Sequence, residues 1–250
     1  MSVTCDDLGT TDVHVVIPAH NEAVLLGRCL ASVSAAAMRL QEEGGGLTSV
    51  LVVADQCTDG TLDVVSGAAS SRSVGSEVLP PVAALVVDAG CVGRARDLGV
   101  RHVLDRSTRH PSRIWVAMTD ADSEVAPDWL TTQLGAARAG QDMWVGRVHP
   151  DPSTVALRVL REWEGRHRSP GPLHIHGANL GFSASVFLRV GGFAPLAEHE
   201  DVTFVHAAIA AGVSWAAGAD TVRTSGRTHG RTPGGFAGYL RALTAELDTA

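Results

Sequence analysis

The stretch Ile114-Trp115-Val116-Ala117-Met118-Thr119-Asp120-Ala121-Asp122 joins five consecutive apolar residues to two carboxylates one residue apart. An unbroken apolar run of this length reads as a strand buried on both faces, the kind found in parallel sheets. Ligands of such sheets collect at the carboxyl ends of the strands. The two acids repel each other unless a cation sits between or beside them. Hard divalent ions such as Mg²⁺ and Mn²⁺ take one or two carboxylates plus substrate phosphates. A lone D-x-D is more often a pair of solvated loop acids; its position at a strand end is what points to metal chemistry here.

The same grammar repeats upstream. Val13 to Ile17 is a short buried strand stopped by Pro18. Asn21 is placed to cap the helix that follows. Leu26, Leu30, Val33, Ala37 and Leu40 recur at spacings of 4, 3, 4 and 3, the apolar stripe of an amphipathic helix. Ser49 to Ala54 forms a second strand, followed by a polar loop from Asp55 to Thr61 and a helix over Leu62 to Ala69. Residues 70–81 read as a surface loop, Val82 to Val87 as a third strand and Gly93 to Leu104 as a helix. Strand and helix thus alternate, which predicts an α/β fold with a mainly parallel central sheet, Rossmann-like, with helices on both faces.

Beyond Asp122 the pattern loosens into a smaller, less regular portion. Helices are expected over Trp129 to Ala139, Val186 to Val190 and Glu200 to Ala211, and a strand over Met143 to Val148. Gly226 to Gly235 reads as a glycine-rich tail loop. No linker divides the chain, so residues 1–250 are read as a single domain, regular over about 13–122 and less regular over about 123–250.

Composition prunes the chemistry. The 250 residues are 45% hydrophobic and 19% charged, as in an ordinary globular enzyme. The net charge is −7, with 9 basic and 16 acidic residues before position 126 and 11 of each after it. No basic block marks a nucleic-acid footprint. All 20 basic residues are arginine, which excludes Schiff-base, P-loop and Ser-x-x-Lys chemistry. The four cysteines, Cys5, Cys29, Cys57 and Cys91, lack C-x-x-C spacing and fit a reduced, cytoplasmic setting. Three aspartates and no basic residue among the first twelve do not suit a signal peptide, and no apolar run reaches a membrane span. A homo-oligomer is compatible with all of this.

Several segments together resemble the family 2 glycosyltransferases of the GT-A fold. They are Val16-Ile17-Pro18-Ala19-His20-Asn21-Glu22, Val52 to Thr61, Gly93-Arg94-Ala95-Arg96-Asp97-Leu98-Gly99, Asp120-Ala121-Asp122, Gly177-Ala178-Asn179 through Gly191-Gly192-Phe193, and Glu200-Asp201. They occur in the family's order across about residues 13–235. Two positions depart from its pattern: Ala54 replaces the first of two acids before Asp55, and Asp97 replaces asparagine. No Q-x-x-R-W follows the acidic pair, so a processive polysaccharide synthase is not expected.

The resemblance implies transfer of a sugar from a nucleotide-diphosphate donor, with a lean towards UDP, to an unidentified acceptor hydroxyl with inversion. Pro18, Ala19, Glu22, Asp55, Arg96, Asp120 and Ala121 are carried over as donor contacts, with Arg227 and Arg231 on the diphosphate; for Arg96 a structural salt bridge is an equal alternative. Asp122 is the first metal ligand; Asp120 reaches the ribose or the ion, and His229 is either a third ligand or a surface histidine. Asp201 is the candidate base, Glu200 its competitor and Glu198 a weaker one. Gly177, Ala178 and Asn179 face the acceptor, with Trp163, Glu164 and residues 166–168 shaping its pocket. Asp59 is read as a helix cap. His174 and His176, were they on one strand, could share a zinc ion. A nucleotidyltransferase and a non-catalytic nucleotide-sugar-binding module are the competing functions; the former is disfavoured because no glycine or arginine follows the first strand.

Overall fold

The computed structural model describes residues 11–71, 73–74, 77–167, 173–230, 232 and 234–249. The nucleotide-side elements are β1 (Asp12–Ala19), α1 (Leu26–Glu42), β2 (Thr48–Asp55), α2 (Thr61–Ser70), β3 (Ser73–Val74), β4 (Glu77–Val78), β5 (Val82–Val87), α3 (Val92–Arg106) and β6 (Ile114–Met118). There follow β7 (Ser123–Glu124), α4 (Trp129–Arg138), β8 (Met143–Pro150), α5 (Leu157–His167), β9 (Leu180–Ser183), α6 (Ala184–Val190), α7 (Glu200–Ala210), β10 (Trp215–Thr224) and α8 (Phe236–Thr249).

Eight strands form one sheet in the order β5-β2-β1-β6-β9-β8-β10-β7. Pairings β5–β2, β2–β1, β1–β6 and β8–β10 are parallel. β9 runs antiparallel to both neighbours and β7 antiparallel to β10. The chain builds outward from β1 through β2 to β5, then crosses to β6 on the other flank. The direction of winding therefore reverses between β1 and β6, and the crevice at their carboxyl ends is the place where such sheets bind ligands.

Strand alternation sorts the two faces. Val13, Val15 and Ile17 of β1 pack with Leu26, Leu30, Val33 and Leu40 of α1 and with Leu130 and Leu134 of α4. Val16, from the same strand, joins Ala95, Val100 and Val103 of α3 and Phe204 and Val205 of α7 on the other face. Helices thus cover both faces, as the sequence implied. A smaller cluster of Val159, Trp163, Leu240 and Leu243 ties α5 to α8 beside the sheet.

Some expectations are corrected. Asn21 does not cap α1, whose first turn receives no side-chain cap. It adopts a left-handed conformation with φ 55°, and its side-chain oxygen accepts the Thr58 amide at 2.8 Å, so it clamps two loops together. Residues 70–81 contain the small antiparallel pair β3–β4 rather than loop alone. Pro18 does not end β1, which continues along β2 to Ala19. Pairing with β6 has already stopped at Val16–Met118, so the proline occurs where only one neighbouring strand remains.

Candidate active site

A cavity of about 660 Å³ opens at the carboxyl edge of the sheet, a volume typical of small-ligand sites. Pro18 and Ala19 at the end of β1, Asp55 at the end of β2 and Asp120, Ala121 and Asp122 just past β6 line it together. Buried Asp55 accepts the amides of Ala89 (2.7 Å) and Gly90 (3.1 Å) on one oxygen, which fixes the loop after β5 against the cavity. Asp59 is not the α2 cap, a position Gly60 holds without a side-chain bond; its carboxylate takes the Thr61 amide at 3.0 Å and the Ala23 amide at 3.0 Å, tying the loop after β2 to the one after β1. Its pKa falls below the usual carboxylate range, chiefly through the Thr61 hydroxyl.

Arg96 is the hub of the site. Helix α3 carries it into the interior, where Nη2 donates to Asp120 Oδ1 (2.6 Å), Nε to Glu200 Oε1 (2.9 Å) and Nη1 to the Gly177 carbonyl (3.0 Å). Of its two sequence readings, donor contact and structural salt bridge, the geometry displays the second: its nitrogens each spend a hydrogen on protein groups, which come from three separate elements. Gly177 is glycine for a steric reason: a Cβ there would lie 2.3 Å from Arg96 Nη2. Glu200 is correspondingly a buried ion-pair partner. Burial raises its pKa and Arg96 opposes the rise, while Oε1 is held by the guanidinium.

Asp201, one residue on, lines the cavity. Its Oδ2 accepts the Gly177 amide at 2.6 Å and its Oδ1 the Val202 amide at 2.8 Å. The second contact lies in the first turn of α7, where acids are favoured by the helix dipole. Glu198 turns to the tail loop and accepts the Gly234 amide at 2.9 Å. Gly177 and Ala178 line the cavity. Asn179 does not. It is fully buried, accepts the Trp129 indole N–H at 2.9 Å and donates to the Arg147 carbonyl at 2.8 Å. The 3₁₀ turn over residues 177–179 rotates it inward, so it braces α4 against β8 instead of touching an acceptor.

Asp122 lies against Arg227 (2.9 Å), which also grips Glu22 through both guanidinium ends (2.6 and 3.1 Å). Burial pushes the Asp122 pKa up to about 6. Arg227 pulls the other way, and Asp120 and Glu22 add like-charge repulsion, so burial outweighs the ion pair. A partly buried acid with excess negative charge around it is the donor set a hard cation fits. His229 does not join it: it is exposed, and its ring contacts only the Thr228 hydroxyl at 3.2 Å among the hydrogen bonds described. Among the described residues no group of three or more His, Cys, Asp or Glu side chains is arranged to hold a metal, so the expected trio of Asp120, Asp122 and His229 is not assembled here. Two carboxylates alone leave room for the water and phosphate oxygens that Mg²⁺ and Mn²⁺ favour. Arg231 and Arg168 lie outside the described residues.

The zinc alternative is also corrected. Residues 173–176 form no strand, His174 rests against His167 (ring centroids 4.7 Å apart) and His176 meets Phe236 edge-on (6.1 Å). Burial lowers His176 to about 4, so it is a neutral ring at neutral pH. The far cavity wall is aromatic. Trp163 stacks on His167 at 4.2 Å, and Tyr239 and Phe236 of α8 complete the wall. Glu164 instead faces His149 at 3.4 Å. Tyr239 and Phe236 were not anticipated, although Phe236, Leu240, Leu243 and Leu247 carry a helical apolar spacing that marks α8.

The sequence matches the description "Glycosyl transferase family 2" over residues 14–188, well over half of the chain. The chain belongs to glycosyl transferase family 2. The mannosyltransferase PcManGT of Pyrobaculum calidifontis, in complex with GDP-Man and Mn²⁺, superposes with a TM-score of 0.63 at 19% identity, covering 96% of this chain and 65% of that one. The S. aureus TarS fragment 1–349 with UDP gives 0.60 at 16%, covering 96% and 66%. Glucosyl-3-phosphoglycerate synthase from Mycobacterium tuberculosis, with Mn²⁺, UDP and phosphoglyceric acid, gives 0.59 at 17%, covering 97% and 79%. The chain spans about two thirds of the length of the first two. No curated protein matches the sequence.

The fold shared with these structures is the GT-A fold of family 2. Within that frame the two departures acquire physical sense. Ala54 is a fully buried β2 residue. Asp97 is put to structural use, accepting the Phe193 amide at 3.1 Å and pairing with Arg101 at 2.7 Å. The family 2 match ends before Glu200, Asp201 and Arg227, so their relation to the site rests on the geometry of this chain. No helix among the described residues is long and apolar enough to cross a membrane.

Proposed function

We propose that this family 2 chain is a non-processive, metal-dependent glycosyltransferase that moves a sugar from a nucleoside-diphosphate donor, UDP-linked in preference to GDP-linked, to an acceptor hydroxyl with inversion. The observation that carries the reading is the gathering of Asp55, at the end of β2, and Asp120 and Asp122, just past β6, on either side of β1 in one cavity that Asp201 also lines. Residues of about 13–122 bind the nucleotide and those of about 123–250 bind the acceptor and carry the base. Pro18, Ala19 and Asp55 border the base and ribose; Asp122, with Asp120 beside it, would hold a divalent cation, Mn²⁺ or Mg²⁺. Such an ion, when bound, stabilises negative charge on the departing diphosphate.

Asp201 accepts the proton of the acceptor hydroxyl while that oxygen bonds to the anomeric carbon and the bond from that carbon to the diphosphate oxygen breaks on the opposite face. The Gly177 amide fixes the orientation of the Asp201 carboxylate. Arg96 positions rather than reacts: one guanidinium ties Asp120, on the donor side, to Glu200, the residue that precedes the base. The aromatic wall of Trp163, His167 and Tyr239 keeps water from the acceptor side.

The test is turnover with a panel of UDP- and GDP-sugars and hydroxyl acceptors in Mn²⁺. Release of nucleoside diphosphate together with a glycosylated product supports the reading. Pyrophosphate release would indicate nucleotidyl transfer, and nucleotide-sugar binding without turnover would indicate a binding module; either outcome overturns it.

A further inference from the structure

We propose that Arg227 is a built-in counter-ion that bridges Glu22 to Asp122, the residue read as the metal ligand, and must release Asp122 when a divalent metal binds. The inference rests on the reading of the cavity as a metal–nucleotide site and assigns a device to it. Glu22 stands on the loop after β1 and Asp122 just past β6, so the fold brings two largely buried carboxylates together at the crevice. Their charges repel, and neither is fully hydrated. Arg227 answers both at once, with Nη2 at 2.6 Å from Glu22 and 2.9 Å from Asp122 and Nη1 at 3.1 Å from the other Glu22 oxygen. Asp120, the third acid nearby, is engaged by Arg96.

The two arginines differ in freedom. The Arg96 side chain is 3% exposed and held on three sides, whereas that of Arg227 is 40% exposed and meets the site from a loop beyond the end of β10. A hard cation competes for the same oxygens as the guanidinium. Metal alone must therefore displace an arginine into solvent, which weakens its binding. A nucleoside diphosphate changes the balance, because the freed guanidinium fork can grip phosphate oxygens as it gripped Glu22. Metal and diphosphate then bind with mutual reinforcement, and the reinforcement is reciprocal.

Mn²⁺ binding to the full chain, read from the free-ion paramagnetic resonance signal with and without UDP, tests this without any turnover. Without UDP, Arg227→Gln should bind Mn²⁺ about 10-fold more tightly than wild type, within the usual range of coupling between sites. Arg227→Lys, which keeps the charge, should stay near wild type. Arg223→Gln removes a cation from β10 that pairs with Glu124 outside the cavity, and should leave Mn²⁺ affinity unchanged. UDP should tighten Mn²⁺ binding in wild type more than in Arg227→Gln. The proposal is overturned if Arg227→Gln shows no gain, or if Arg223→Gln gains equally, while wild type still binds Mn²⁺ with UDP. Absence of Mn²⁺ binding in every variant, with UDP or GDP present, would overturn the metal–nucleotide reading as well.

Discussion

Asp122→Asn removes an ionisation that burial opposes while keeping the size of the side chain. The Asp122 side chain is 12% exposed, and its pKa stands at about 6 against an ordinary 3.8. Below pH 3.8 the acid is protonated in the folded and the unfolded chain alike. Above that value the unfolded chain ionises first while the folded protein resists, and beyond about 6 both are ionised. The stability associated with the protonated form is therefore complete at low pH and is lost as pH rises through the folded value. A displacement of roughly two pH units, at about 1.36 kcal/mol per unit, gives about 3 kcal/mol. Asparagine has no such loss, so the variant should gain on wild type by up to about 3 kcal/mol between about pH 3.5 and pH 7. Arg227 keeps Glu22 as partner in the variant, and its attraction to ionised Asp122 is already contained in the wild-type value of about 6. Urea denaturation at stepped pH, in EDTA so that metal linkage does not contribute, reads the difference directly. If the two stabilities run parallel from acid to neutral pH, burial does not govern this carboxylate and the reasoning is wrong.

Asp201→Asn can still accept the Gly177 amide but cannot take a proton, so single-turnover transfer under saturating donor should fall by about 10²–10⁴-fold with nucleotide affinity retained; full activity would remove Asp201 from the chemistry. Arg96→Met strips the partner from buried Glu200 and from Asp120 and should cost about 3–5 kcal/mol in denaturant unfolding, while adding Glu200→Gln should recover part of that loss. Asn179→Ala leaves the Trp129 indole N–H and the Arg147 carbonyl without the amide that joins them, a loss of about 1–3 kcal/mol for each buried group stranded. Thermal unfolding measures it, and Michaelis constants for acceptor should stay put if the residue braces the fold rather than the substrate.

Read from the sequence, β1, β2, β5 and β6 are recognisable because each is a compact apolar run between polar breaks, and α1 because its stripe recurs at helical spacing. Those local patterns also put Asp55, Asp120 and Asp122 at strand ends, and a parallel sheet necessarily collects such ends along one edge. β9 escaped because it has four residues, all buried, and so shows no alternation. It also contains Gly181, where a Cβ would meet Gln133 at 2.2 Å, a requirement set by a neighbour rather than by strand propensity. β10 escaped because Trp215-Ala216-Ala217-Gly218 carries little strand preference; its pairing with β8, broken by a register shift between Ala217 and Thr221, holds it in place.

The roles of the charged residues were decided only in three dimensions. Arg96 meets Asp120 and Glu200 across 24 and 104 positions, and Arg227 meets Glu22 across 205. Asn179 reads in the sequence as an acceptor contact and His229 as either a metal ligand or a surface histidine; in the fold the first is buried at a 3₁₀ turn and the second is exposed on the tail loop. Hydrophobic periodicity reports which face of an element avoids water, so it fixes strands, helices and the edge where polar groups must gather. Which carboxylate an arginine neutralises depends on the path of the chain between them. Two ions only a few ångströms apart in a poorly hydrated crevice attract strongly enough to outcompete solvent, and that proximity is a property of the crossovers and not of the residues themselves.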